Sequence, residues 1–87
     1  MDDRILEGIA REFSLQSLTD KERQADELPV TRDPIPKRCR AWVRFGPHAM
    51  QVDAVVVVWN DVACGVQFRV RDREFRCWVW ANAVIPA

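Results

Sequence analysis

Among its 87 residues the chain has no tyrosine, one histidine, two lysines and three glycines. Each shortage removes a class of function. Gly8, Gly46 and Gly65 are scattered, so no glycine-rich loop can cradle a phosphate. His48 is the only imidazole, which leaves no histidine pair for general acid–base work or metal binding. Cys39, Cys64 and Cys77 form no Cys-x-x-Cys spacing, so no metal centre is expected. The longest unbroken apolar run, Ala54 to Trp59, is six residues, far below a membrane span. The opening "MDDRILEGIA" is acidic and has no apolar h-region, so no secretory signal is read there. An odd number of cysteines without such a signal points to a reducing, cytoplasmic setting. Nothing here suggests an enzyme, a cofactor or a membrane partner.

What is present is charge, unevenly placed. Thirteen basic residues balance thirteen acidic ones. Residues 1–30 nevertheless carry eight acids against four bases, and residues 31–87 carry nine bases against five acids. That split suits a basic face with an acidic arm, or two halves that dock on each other. One domain is expected at this length.

The arm is residues 1–28. Asp3 is placed to cap a helix over 4–13, with Ile5, Leu6, Ile9 and Phe13 on one stripe of the wheel. Thr19 with Glu22 forms a capping-box pattern, which predicts a second, weaker helix over 19–28. Residues 29–39 contain Pro29, Pro34 and Pro36 and read as an extended connector. From Arg40 the apolar period becomes two. Strands are predicted over 40–45, 51–59, 63–71 and 74–80, with a short fifth at 84–86. Their inward residues are Ala41, Val43, Phe45; Val52, Ala54, Val56, Val58; Cys64, Val66, Phe68, Val70; and Phe75, Cys77, Val79. A face this apolar must be core. Cys64 and Cys77 then serve as small core residues. Cys39, between Arg38 and Arg40, is the one cysteine whose neighbours favour a thiolate.

Pairing inward residues with inward residues sets a register. A turn at Asp72-Arg73 places Val70 opposite Phe75, and a longer loop at "GPHAMQ" places Arg44 opposite Asp53. The outer face then reads in rows: Arg44, Asp53, Arg69, Arg76; Trp42, Val55, Gln67, Trp78; Arg40, Val57, Gly65, Trp80. Asp53 should contact Arg44 or Arg69, since opposite charges across strands are favourable. Arg69 faces Arg76, a like-charge pair that asks for an anion.

The meander with the tight hairpin "RVRDREF" and the ending "WVWANAVIPA" resembles an SH3-like small β-barrel over residues 40–87. The resemblance implies that "ANA" forms a single 3₁₀ turn and that the residues after it form a closing strand. It is a likeness of architecture, which many functions share. The first loop is much shorter than in signalling SH3 domains. The acidic, tyrosine-bearing loop that grips proline peptides is missing, so that activity does not carry over. The expected fold class is therefore α+β, mainly β, with an N-terminal helical arm.

The candidate binding residues are Trp42, Trp78, Trp80, Arg40, Arg44, Arg69 and Arg76. Three outward tryptophans would present about 150–250 Å² each. Together they match or exceed the largest apolar patch of a typical monomer, about 300–600 Å². Such a face is covered by something. The helix stripe Ile5, Leu6, Ile9 and Phe13 suits a cover over Trp42, Val55, Val57 and Trp80, with acidic residues approaching Arg40, Arg44 and Arg76. If the face is free, tryptophan and arginine favour a protein partner or a second copy of the chain. The alternative is a nucleic acid stacked and paired on the same residues. Lysine scarcity, zero net charge and the acidic arm weigh against that alternative.

Overall fold

Alternation of apolar and polar residues from Arg38 onward builds strands that bury every second side chain. In the computed structural model, which describes residues 3–87 apart from the side chain of Asp3, the elements run helix, four long strands, a 3₁₀ turn and a short strand. They are α1 (Asp3–Glu12), β1 (Thr31–Phe45), β2 (His48–Trp59), β3 (Ala63–Val70), β4 (Arg73–Trp80), the 3₁₀ turn Ala81–Ala83 and β5 (Val84–Pro86). The strands form one antiparallel sheet in the order β4-β3-β2-β1-β5. The 3₁₀ turn and β5 lie where the sequence placed them. The sheet is not closed into a barrel, because β4 and β5 stand at its two ends without pairing.

β1 starts earlier than expected. Thr31 and Arg32 already pair with Trp59 and Val58, and the ladder then breaks before Lys37. Pro34 and Pro36 lie in that break, where a residue without an N–H cannot donate to a neighbour. The connector 29–39 is thus mostly strand. The first hairpin is also tighter than expected. Phe45 pairs with His48 across a two-residue loop, Gly46-Pro47. Gly46 has φ 56, the left-handed conformation that such a loop asks of its first residue. At the β3–β4 turn Arg71 takes φ 54, and Val70 pairs with Arg73 rather than Phe75.

These corrections slide both hairpins by an even number of residues. An even slide changes every cross-strand partner but moves no side chain to the other face. The predicted core therefore survives. Ala41, Val43, Phe45, Val52, Ala54, Val66, Phe68, Val70, Cys77 and Val79 are buried, and Val56, Cys64 and Phe75 pack partly buried against them. Met50, read as loop, is buried opposite Val43. Val58 is the exception. The register slips by one between Val56 and Val58, which takes Val58 out of the inward row and sets it opposite Gly65.

Helix α1 closes the inner face, not the outer one. Leu6 and Ala10 are buried in the main core, and Ile9 and Phe13 pack against it. Ile5, counted in the stripe, is 57% exposed. Phe13 reaches the Gly46 loop, where a Cβ on Gly46 would lie 2.6 Å from its ring. The capping expected of Asp3 falls outside the described side chains. Residues 20–27 form successive turns rather than the predicted second helix. Gln24, at φ 54, interrupts the helical path. The capping box itself forms: the Thr19 amide donates to Glu22 Oε1 at 3.0 Å and the Glu22 amide to Thr19 Oγ1 at 3.1 Å.

Between helix and turns, residues 14–18 run extended across the gap in the sheet. The Gln16 amide donates to the Arg44 carbonyl of β1 at 2.8 Å, and the Leu18 amide to the Trp78 carbonyl of β4 at 3.0 Å. The arm therefore ties the two sides of the open sheet together.

Candidate functional site

The corrected register rebuilds the outer face. Arg40 lies opposite Asp53, with an ion pair at 3.6 Å, and Arg44 lies opposite Ala49. The expected Asp53–Arg44 pair is thus replaced by Asp53–Arg40. Arg69 lies opposite Glu74 and Arg76 opposite Gln67, so the like-charge pair disappears. Gly65 faces Trp78, not Trp80. A Cβ on Gly65 would overlap the Val58 side chain and touch the Trp78 ring at 3.7 Å. Glycine is needed there because two side chains converge over its Cα.

The seven candidate residues divide among three grooves. Trp42, Trp78, Trp80 and Arg44 line one of about 410 Å³, with Leu18 and Glu22 of the arm as its far wall. Arg40 and Arg69 line a second of about 740 Å³, beside Arg38 and Asp53. Arg76 lines a third of about 250 Å³ with Arg32 and the other side of Trp78.

The tryptophans are not equivalent. Trp42 is 48% and Trp80 43% exposed, whereas Trp78 is half-buried. Trp78 is held by the arm, as its amide donates to Ser17 Oγ at 2.8 Å. The Arg23 guanidinium stacks on its ring at 4.3 Å from the centroid and pairs with Asp20 at 2.8 Å. The cover over the tryptophan face is therefore Ser17, Leu18 and Arg23, and it takes only one of the three rings.

Arg23 is itself fixed from below. Buried Asn60 donates from Nδ2 to the Arg23 carbonyl at 2.8 Å, and its Oδ1 accepts from the amides of Val62 and Ala63, both at 2.9 Å. Sequence reading passed over Asn60, Arg23 and Ser17. The signal for Asn60 was an asparagine and an aspartate between two apolar strands, where a side chain caps the turn. Arg23 and Ser17 carried no signal, because their partners are distant in the chain.

Charge from the arm does not reach the arginines of the outer face as expected. Glu7 pairs with Arg11 at 2.6 Å and with Arg71, while Asp20 pairs with Arg23. Glu22 alone comes to the tryptophan groove, opposite Arg44.

The cysteines are free thiols. Cys39 is buried, and burial, then proximity to Cys64, pushes its pKa up despite the flanking arginines. Burial also raises Cys64, and Cys77 is pushed up to about 11. Burial and a raised pKa both disfavour the thiolate, opposing the effect of the flanking arginines on Cys39. Cys77 pairs with Val66 and Cys64 with Val79, which sets the two thiols two strand positions apart. Among the described residues, no group of three histidine, cysteine or acidic side chains converges on one point. No helix there is long and apolar enough to cross a membrane. His48 lies in β2 rather than in a loop, with its ring edge-on to Phe13 at 4.8 Å.

No protein-family model, no curated protein and no solved structure matches this chain.

Proposed function

We propose that this chain is a small, non-enzymatic protein-interaction module whose partner seats in the groove of Trp42, Trp78 and Trp80. The observation that carries the reading is the exposure of Trp42 and Trp80 on one groove whose opposite wall is supplied by the arm. Trp42 and Trp80 supply apolar area with a polar N–H at its edge, and Arg44 and Glu22 supply charges of both signs beside it. The groove suits an apolar or aromatic side chain flanked by polar ones, from another protein or from a second copy. Trp42 and Trp80 are the free anchors. Trp78 sets the floor and is already engaged by Arg23. No cofactor enters this reading. Three free thiols, two of them buried, fit a reducing, cytoplasmic setting.

The strand order, with a 3₁₀ turn before β5, supports a small barrel of the SH3-like kind. In that reading residues 14–18, instead of a β4–β5 pair, bridge the opening. The likeness concerns architecture and adds nothing about the partner.

The test is selection from a phage-displayed random peptide library on the full chain, with Trp80→Thr as the counter-screen. Peptides that bind the native chain and lose tenfold or more on Trp80→Thr support the groove. Sedimentation of the two proteins tests a second copy as the occupant. Absence of any selected peptide, together with a monomer at all concentrations, would sink the proposal.

A further inference from the structure

The groove beside the tryptophans is built differently. Along β1 the outward residues are Arg38, Arg40, Trp42 and Arg44, each following a buried neighbour among Cys39, Ala41 and Val43 or preceding one. Alternate residues of a strand stand about 7 Å apart. The result is a row of three arginines and one tryptophan on one face of β1. Arg69 of β3 faces the same groove as Arg38 and Arg40, across Val55 and Gln67.

Part of this charge has no ion-pair partner. Among the described residues neither Arg38 nor Arg69 has an ion pair or a side-chain hydrogen bond. Arg44 reaches only the Pro47 carbonyl, at 3.4 Å. Asp53 is the one acidic side chain lining the groove; it pairs with Arg40 and its side chain is 95% exposed. Arg38, Arg40 and Arg69 thus line this groove with one acidic side chain, Asp53, while Glu22 of the arm lines the neighbouring groove with Arg44 and Glu74 of β4 lies opposite Arg69. Like charges held this close raise the local potential and attract an anion.

We infer that the Arg38–Arg44 row with Arg69 is a binding site for single-stranded nucleic acid that adjoins the tryptophan groove and shares Trp42 and Arg44 with it. The arginines pair phosphates along an extended backbone, and Trp42 stacks a base between them. A flat row on a sheet offers no helix or ribbon to enter a duplex major groove, so a single strand is preferred over a double one. A peptide of acidic residues alone would use the arginines but has no ring to set against Trp42.

The test is fluorescence anisotropy of a labelled twelve-nucleotide oligo(dT) with the full chain. Binding is expected to weaken roughly tenfold or more between 50 and 200 mM salt, since each phosphate contact contributes about −0.7 to the logarithmic slope. Arg38→Ala with Arg69→Ala should weaken binding and flatten that slope by about 1.4. Trp42→Ala should cost about fivefold or more with the slope unchanged, because stacking releases no counterions. Ile5→Thr, at an exposed position on α1 outside both grooves, should leave oligo(dT) affinity as it was. Circular dichroism of each variant reports the fold. Three results would overturn the site: no binding at 50 mM salt, a duplex of the same length binding equally well, or poly-aspartate displacing the oligonucleotide from native and Trp42→Ala protein alike.

Discussion

On the inner face of the sheet Phe45, Phe68 and Phe75 meet ring to ring, with centroids 5.4 to 6.2 Å apart, under the lid of α1. On the outer face of the same strands Trp42 and Trp80 stand roughly half in water. Both faces are aromatic, yet only one is sealed. The difference lies in what each face is given to pack against. The inner face receives an apolar helix stripe. The outer face receives two or three residues of an extended arm, and these engage Trp78 alone. Aromatic content therefore does not distinguish core from binding surface in this chain; the supply of a cover does.

Substitutions on the two faces sharpen that contrast. The largest loss is expected from Phe45→Ala, because Phe45 is fully buried between two rings and its removal leaves a cavity. Urea denaturation should show a fall of about 3–5 kcal/mol. Asn60→Ala comes next. It leaves the amides of Val62 and Ala63 without an acceptor and frees the Arg23 carbonyl. A loss of about 2–3 kcal/mol is expected by the same measurement, since buried donors are stranded. Tryptophan emission should also shift to the red as the arm loosens from Trp78. A smaller loss, about 1–3 kcal/mol, follows Gly65→Ala, whose new methyl meets Val58 and the Trp78 ring. Here Val58→Ala in the same chain should recover part of it, and no recovery would show that the strain lies elsewhere. The smallest effect belongs to Trp80→Thr, at about 1 kcal/mol or less, since nearly half of Trp80 already faces water. A Trp80→Thr loss as large as that of Phe45→Ala would erase the contrast between the faces.

The parts of this fold that were legible in sequence are those set by period. Alternation assigned residues to faces, and it did so correctly even where the register was wrong, because both hairpins slid by an even number. Asp53 shows the limit. Its partner was read as Arg44 or Arg69 and is Arg40, because a Gly-Pro turn of two residues was read as a longer loop. Turn chemistry, not apolar pattern, fixes register. Val58 shows a second limit, since a bulge leaves no mark in composition. Of the candidate grooves, the outward placing of the tryptophans and arginines was legible from residue type and alternation. Their division into separate grooves was not, because it depends on cross-strand neighbours. The cover over Trp42, Val55, Val57 and Trp80 was assigned to the helix stripe, which instead joined the core. Period alone says that a stripe must be buried but not against which face.

The central claim is that the outer tryptophan groove binds rather than packs. Calorimetric titration of a library-selected peptide into native and Trp80→Thr protein tests it most directly. The account predicts tight heat-producing binding to the native chain and a loss of tenfold or more in the variant, with the urea midpoints close together. Equal affinity for both proteins would contradict it, as would a variant that fails to bind only because it has unfolded.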